Sequence, residues 1–169
     1  LLVKGGLASE AKVFAFGEGR REALAAVLKP TPQLRGIFFA DGKAAAVRKL
    51  REELSQDLPA VSIPRRWRLV DELPANAQGK TTVRALESLF DPRRPEWLLE
   101  SDEVQEGTRH LRLRLEASPG LEWFRGHFPG LPILPGVAQL LLVERAFRAY
   151  EHVSGDFKAT QVKTLKFRA

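Results

Sequence analysis

Read for its alternation of apolar and polar positions, the chain falls into two halves. In the first, VFAF at Val13 to Phe16 and AAVL at Ala25 to Leu28 are short apolar runs that fit strands, although REALAAVL fits the start of a helix equally well. GIFFA at Gly36 to Ala40 reads as a strand closed by the Asp41-Gly42 turn signal. From Lys43 to Leu58 the period changes. Ala46, Val47, Leu50, Leu54 and Leu58 recur at helical spacing, with Arg48, Lys49, Arg51, Glu52 and Glu53 opposite them, which predicts an amphipathic helix. A strand at Trp67 to Val70 follows the basic run PRRWR, then a polar loop LPANAQGK, then a short helix in TTVRALESLF with Thr81 or Thr82 as its cap.

Asp91 to Glu96, DPRRPE, places two prolines among four charges and is expected to be a linker, with the domain boundary there. The expected division is 1–91, a linker over 92–105 and a second domain over 106–169. In that second half HLRLRLE alternates strictly, Leu111, Leu113 and Leu115 on one face and Arg112, Arg114 and Glu116 on the other, as a half-buried strand does. A turn at Ser118-Pro119-Gly120, a mostly apolar helix over Val137 to Tyr150 and an alternating strand over Gln161 to Phe167 complete the reading, whose fold class is α+β.

Composition narrows the chemistry. With 44% hydrophobic and 28% charged residues the chain is composed like an ordinary globular protein, and its 169 residues allow one sizeable core or two small ones. The absence of cysteine excludes disulfides, thiolate metal sites and cysteine nucleophiles. No apolar run approaches the roughly 20 residues a membrane span needs, and no secretory pattern opens the chain, so a cytoplasmic location is expected. The formal charge of +6 suits an acidic protein partner, whereas the dispersal of the basic residues among acids argues against a nucleic acid. Because the chain starts at Leu1 and contains no Met, it is expected to be part of a longer polypeptide.

Two segments carry candidate chemistry. In the first half, Leu73-Pro74, then Gly79-Lys80 and Arg84, resemble the end of the small C-terminal domain of adenylate-forming enzymes, the acyl-CoA synthetase and AMP-ligase superfamily. The resemblance implies that Lys80 is the mobile lysine that neutralises carboxylate and phosphate charge as an acyl-adenylate forms, a task suited to an ammonium on a flexible stem. It also implies ATP and a larger N-terminal domain. The chain itself has no Gly-rich phosphate cradle.

In the second half, the run Trp123-Phe124-Arg125-Gly126-His127-Phe128-Pro129-Gly130, continued by Pro132-Ile133-Leu134-Pro135-Gly136-Val137 and Gln139, resembles the active-site segment of hot-dog 3-hydroxyacyl-[acyl carrier protein] dehydratases, including the aryl-polyene branch. That resemblance implies His127 as the base, since imidazole titrates near neutral pH, and the Gly136 N–H at a helix N-terminus as the donor to the developing enolate. Phe128, Pro135, Val137 and Gln139 would line the acyl site. No cofactor is implied for the dehydration, because phosphopantetheine arrives on the carrier protein. An acidic carrier protein would meet Arg112, Arg114 and Arg125, and the active form would be a homodimer.

One position departs from the family. Where the family places an Asp or Glu on the central helix, this chain has Leu141. Glu144, one turn on, is a substitute acid if its apolar neighbours bury it, or it simply pairs with Arg148 at i+4. The expectation is therefore a ligase tail joined to the first part of a hot-dog dehydratase, with a non-catalytic acyl-thioester-binding module as the alternative.

Overall fold

A stretch of small and branched residues with little polarity, Ala23–Pro30, forms the central strand of a three-stranded sheet in the computed structural model, which describes residues 1–17, 19, 22–116, 121–124 and 133–151. This strand, β2, pairs antiparallel with β1 (Ala8–Phe16) and parallel with β3 (Arg66–Leu69), in the order β1-β2-β3. The segment that fitted helix or strand is thus a strand, fully buried from Ala25 to Leu28 because it lies between two neighbours. The fold is α+β.

Between β2 and β3 runs the helix α1 (Pro32–Ser55), opened by Thr31 and Pro32 and broken inside by Gly42, whose φ is 85°. Its Leu34, Phe38, Ala46, Leu50 and Leu54 join Ala26, Leu28, Trp67 and Leu69 of the sheet in one buried cluster. GIFFA, expected as a strand, is helical. Leu34 and Phe38 stand four residues apart and are both fully buried, so the run belongs to a helical stripe that begins upstream of Gly36. Gly42 does end the first helical stretch, but the chain resumes a helix at once instead of turning back.

The short helix α2 (Val83–Ser88) is capped by Thr82, whose Oγ1 accepts the Ala85 N–H at 3.2 Å. Beyond it, the segment read as a linker over 92–105 contains a strand. β4 (Glu96–Gln105) pairs antiparallel with β5 (Thr108–Glu116) around the two-residue turn Glu106-Gly107, where both residues have positive φ, 50° and 75°. A bulge between Leu99 and Ser101 shifts the register.

The chain divides into two compact units, Leu1–Ser118 and Pro119–Ala169. The hairpin is held by the first unit. Glu96, 5% exposed, accepts from Arg68 Nη1 at 3.0 Å, from the Leu69 backbone N–H at 2.9 Å and from the Lys43 ammonium. Leu99 is clamped by its backbone. Its N–H donates to Asp71 Oδ2 at 3.0 Å, its carbonyl accepts from Arg35 Nη1 at 2.8 Å, and Arg35 also pairs with Asp71. Arg114 of β5 donates to the Phe39 carbonyl and lies 5.6 Å from the Phe38 ring centre.

In the second unit a single turn of tight helix, Glu122–Phe124, precedes α3 (Gly136–Glu151), close to the helix expected over Val137 to Tyr150. Ala138, Leu142 and Ala146, four residues apart in turn, form its buried stripe. The turn expected at Ser118-Pro119-Gly120 and the strand expected over Gln161 to Phe167 lie outside the described residues.

Candidate functional site

Local geometry prepares the loop of Lys80. Asn76 organises it. Its side-chain Oδ1 accepts the N–H of Gln78 at 3.0 Å and of Lys80 at 2.9 Å, while its own backbone N–H donates to the Lys80 carbonyl at 2.9 Å. The Gly79 N–H returns to the Asn76 carbonyl at 2.8 Å, and Gly79 takes a φ of 74° that favours glycine. Asn76 was not singled out from sequence. The signal was present, since Asn at the first position and Gly at the fourth is the composition of such a turn. The Lys80 side chain is exposed and forms no ion pair among the described residues.

Of the candidate residues of the second unit, Pro135, Gly136, Val137 and Gln139 lie at the start of α3. Its first residue is Gly136, as the reading of a helix N-terminus there requires, and the Gln139 N–H closes the first turn onto the Pro135 carbonyl at 3.1 Å. The Gln139 side chain folds back, Nε2 donating to the Leu134 carbonyl at 3.0 Å, so its amide steadies the loop that enters the helix. Pro135 is half-buried, whereas Val137 is 76% exposed. His127 and Phe128 lie outside the described residues.

Further along α3, the apolar neighbours expected to bury Glu144 are themselves only partly covered: Val137 is 76% exposed, Leu140 39% exposed and Leu141 half-buried. The Glu144 carboxylate instead pairs with Arg148, which donates through Nε at 3.1 Å and Nη2 at 2.9 Å to the same Oε1. This is the i+4 pairing weighed as the rival to a buried acid. Leu141, where the resemblance leads one to expect an acid, is half-buried on the same helix. Arg145 stacks on Trp123, 5.4 Å from the ring centre, and ties α3 to the turn before it.

Lys80 therefore belongs to the first unit, and Gly136, Gln139 and Glu144 to the second. No cluster of His, Asp and Glu suited to holding a metal ion occurs among the described residues.

Residues 103–169 match the model of the ApeI-like family, described as ApeI dehydratase. The matched span includes β5, the His127 run and α3, and it leaves out the first unit up to Asp102. Among solved structures the chain is similar to a Mycobacterium tuberculosis fatty acyl CoA synthetase at 16% identity and a TM-score of 0.41. That likeness covers 53% of this chain and 16% of the synthetase, so the chain spans only a small part of its length. No curated protein matches the chain. No helix among the described residues is long and apolar enough to cross a membrane.

The charged side chains that hold the hairpin were not anticipated from sequence. Glu96 reads there as one more charge of a linker, and nothing in its immediate neighbours signals that it is buried against Arg68 and Lys43.

Proposed function

We propose that the ApeI-like segment eliminates water from a 3-hydroxyacyl thioester delivered by an acyl carrier protein. The observation that carries this reading is the family match over 103–169, which includes the His127 to Gln139 run. In this scheme the His127 imidazole takes a proton from the carbon beside the thioester carbonyl. The Gly136 N–H stabilises the enolate oxygen, the hydroxyl leaves with a proton as water, and a carbon–carbon double bond forms. Supporting the second role, Gly136 opens α3, where amide N–H groups have no partner within the helix. Phe128, Pro135 and Val137 would contact the acyl chain. Glu144 would supply the proton to the departing hydroxyl, which requires it to exchange its pairing with Arg148.

The finer assignments go with this reading: an aryl-polyene type of pathway, a homodimeric hot-dog domain and a cytoplasmic setting. The first unit would be the tail of an acyl-adenylating ligase whose ATP site lies in a larger domain. Leu73-Pro74, Gly79-Lys80 and Arg84 support that assignment, as does the ordered, exposed loop that presents Lys80.

A direct test is enoyl-thioester formation from 3-hydroxyacyl-pantetheine by the full chain, followed by absorbance. Replacement of His127 by Ala is expected to lower turnover by about 10²–10⁴-fold. Turnover unchanged in that variant would overturn the reading.

Leu141 and the Glu144–Arg148 pair favour a second reading, a module that binds acyl thioesters without dehydrating them. Tight binding of the substrate with no enoyl product, and gain of product on Leu141→Asp, would select it.

A further inference from the structure

The β4–β5 hairpin is attached to its unit in an unusual way. It forms a separate two-stranded sheet, and no backbone ladder joins β4 to β3 among the described residues. Where the outer edge of β3 offers the Leu69 N–H, a carboxylate of Glu96 receives it in place of a strand. The other attachments are the Asp71–Arg35 clamp on the Leu99 backbone and the Arg114 bond to the Phe39 carbonyl.

Register shows which face is docked. Leu98 and Arg114 are cross-strand partners, as are Glu96 and Glu116, so these residues share one face of the hairpin. Leu98 is fully buried and joins the main core cluster, and Arg114 reaches α1. Alternation then places Trp97, Leu113 and Leu115 on the opposite face, where they are half-buried. The docked face is therefore mainly ionic, with Leu98 as its one fully buried apolar residue. On the more apolar face, Trp97, Leu113 and Leu115 are only half-buried.

We propose that β4–β5 is a strap, fastened to the first unit by three charged clasps, that opens as one piece while the β1-β2-β3 sheet stays folded. An interface built from a few directional bonds and little apolar area has the make-up of a low-stability cooperative unit. The device has a consequence for function because β5 lies wholly within the span matched by the dehydratase family, whereas all of the clasp partners on the body, Arg35, Phe39, Lys43, Arg68, Leu69 and Asp71, lie outside it. The strap is where the state of the first unit reaches a strand of the matched domain.

Native-state hydrogen exchange of the full chain, read by mass spectrometry peptide by peptide, tests this. In the unaltered protein, amides over 96–116 are expected to exchange together and ahead of those in β2. The Asp71→Asn variant is expected to speed hairpin exchange by on the order of tenfold or more, the scale of losing a charge-assisted bond, with β2 unchanged. Arg114→Gln, at the far clasp, is expected to do the same and serves if the first variant fails to fold. Equal acceleration of hairpin and β2 would show the hairpin to be inseparable from the core. No acceleration in either variant would show that the clasps do not hold it. Both results overturn the proposal, and neither depends on whether the chain dehydrates anything.

Discussion

Arg114 on β5 donates its Nη1 to the carbonyl of Phe39 at 2.5 Å, three residues before Gly42 breaks α1. A helix that stops leaves its last carbonyls without partners, and a guanidinium from a distant strand supplies one here. The break itself needs Gly42. Its φ of 85° is strained for any L side chain, and a Cβ built there would stand 3.3 Å from Arg114 Nη2. Gly42→Ala is expected to cost about 1–3 kcal/mol of stability, and Arg114→Ala a similar amount through the unpaired carbonyl. Urea unfolding of the two variants and of their double mutant measures this, and the double mutant should lose less than the sum because the two sites share one contact.

Glu96 is the most consequential carboxylate of the first unit. Its side chain is 3% exposed and it faces two cations, Arg68 and Lys43. Glu96→Gln keeps the shape and one acceptor oxygen for the Leu69 N–H but leaves both cations without their anion. The expected loss is about 3–5 kcal/mol, visible as a lower denaturation midpoint. A midpoint equal to that of the unaltered protein would mean that the two cations are satisfied by water.

At the far end of the hairpin, the side-chain hydrogen bond from Arg109 holds the Asp102 carboxyl below the usual carboxylate range. A folded value below the unfolded one means that the pair adds stability above the ordinary aspartate value. That contribution disappears as pH falls through the lower, folded value. Side-chain carboxyl NMR should place the Asp102 midpoint below the usual range, and Arg109→Gln should return it upward.

For the second unit, the role assigned to Glu144 makes a sharp prediction. Glu144→Gln should lower dehydration by on the order of 10²-fold with little change in helix content by circular dichroism. Activity unchanged in this variant would remove Glu144 as the proton donor and leave it as the partner of Arg148.

Much of this fold is legible in the chain, element by element. Strict alternation in HLRLRLE gave β5, helical apolar spacing gave the second part of α1, a mostly apolar run gave α3 to within a residue at each end, and of the two cap candidates Thr81 and Thr82 it is Thr82 that caps α2. GIFFA misled because five residues are too few to fix a period, and Leu34, which completes the helical stripe with Phe38, stands outside them. β4 was hidden for a different reason. Two of its inward positions are Glu96 and Leu98, and a pattern that sorts charge to the outside cannot assign a buried carboxylate to the same face as a leucine. Of the candidate site, the residue pattern placed the helix start at Val137, one residue after the Gly136 that opens α3, and the helix-start role of Gly136 came from the family resemblance. The turn chemistry of Asn76 and the reach of Gln139 to Leu134 depend on backbone conformation, which residue types alone did not fix.

The bulge in β4 has an effect out of proportion to its size. With side chains alternating at every step, the extra residue between Leu99 and Ser101 decides whether Glu96 and Leu98 share a side with Arg114 or with Leu113. Pairing Glu100 with Leu113 instead of bulging it out would set Leu98 opposite Leu115 and turn Glu96 away from Arg68 and Lys43. Here the one residue left out of the ladder, counted back from the Glu106-Gly107 turn, is itself part of the recognition between the hairpin and the body that holds it.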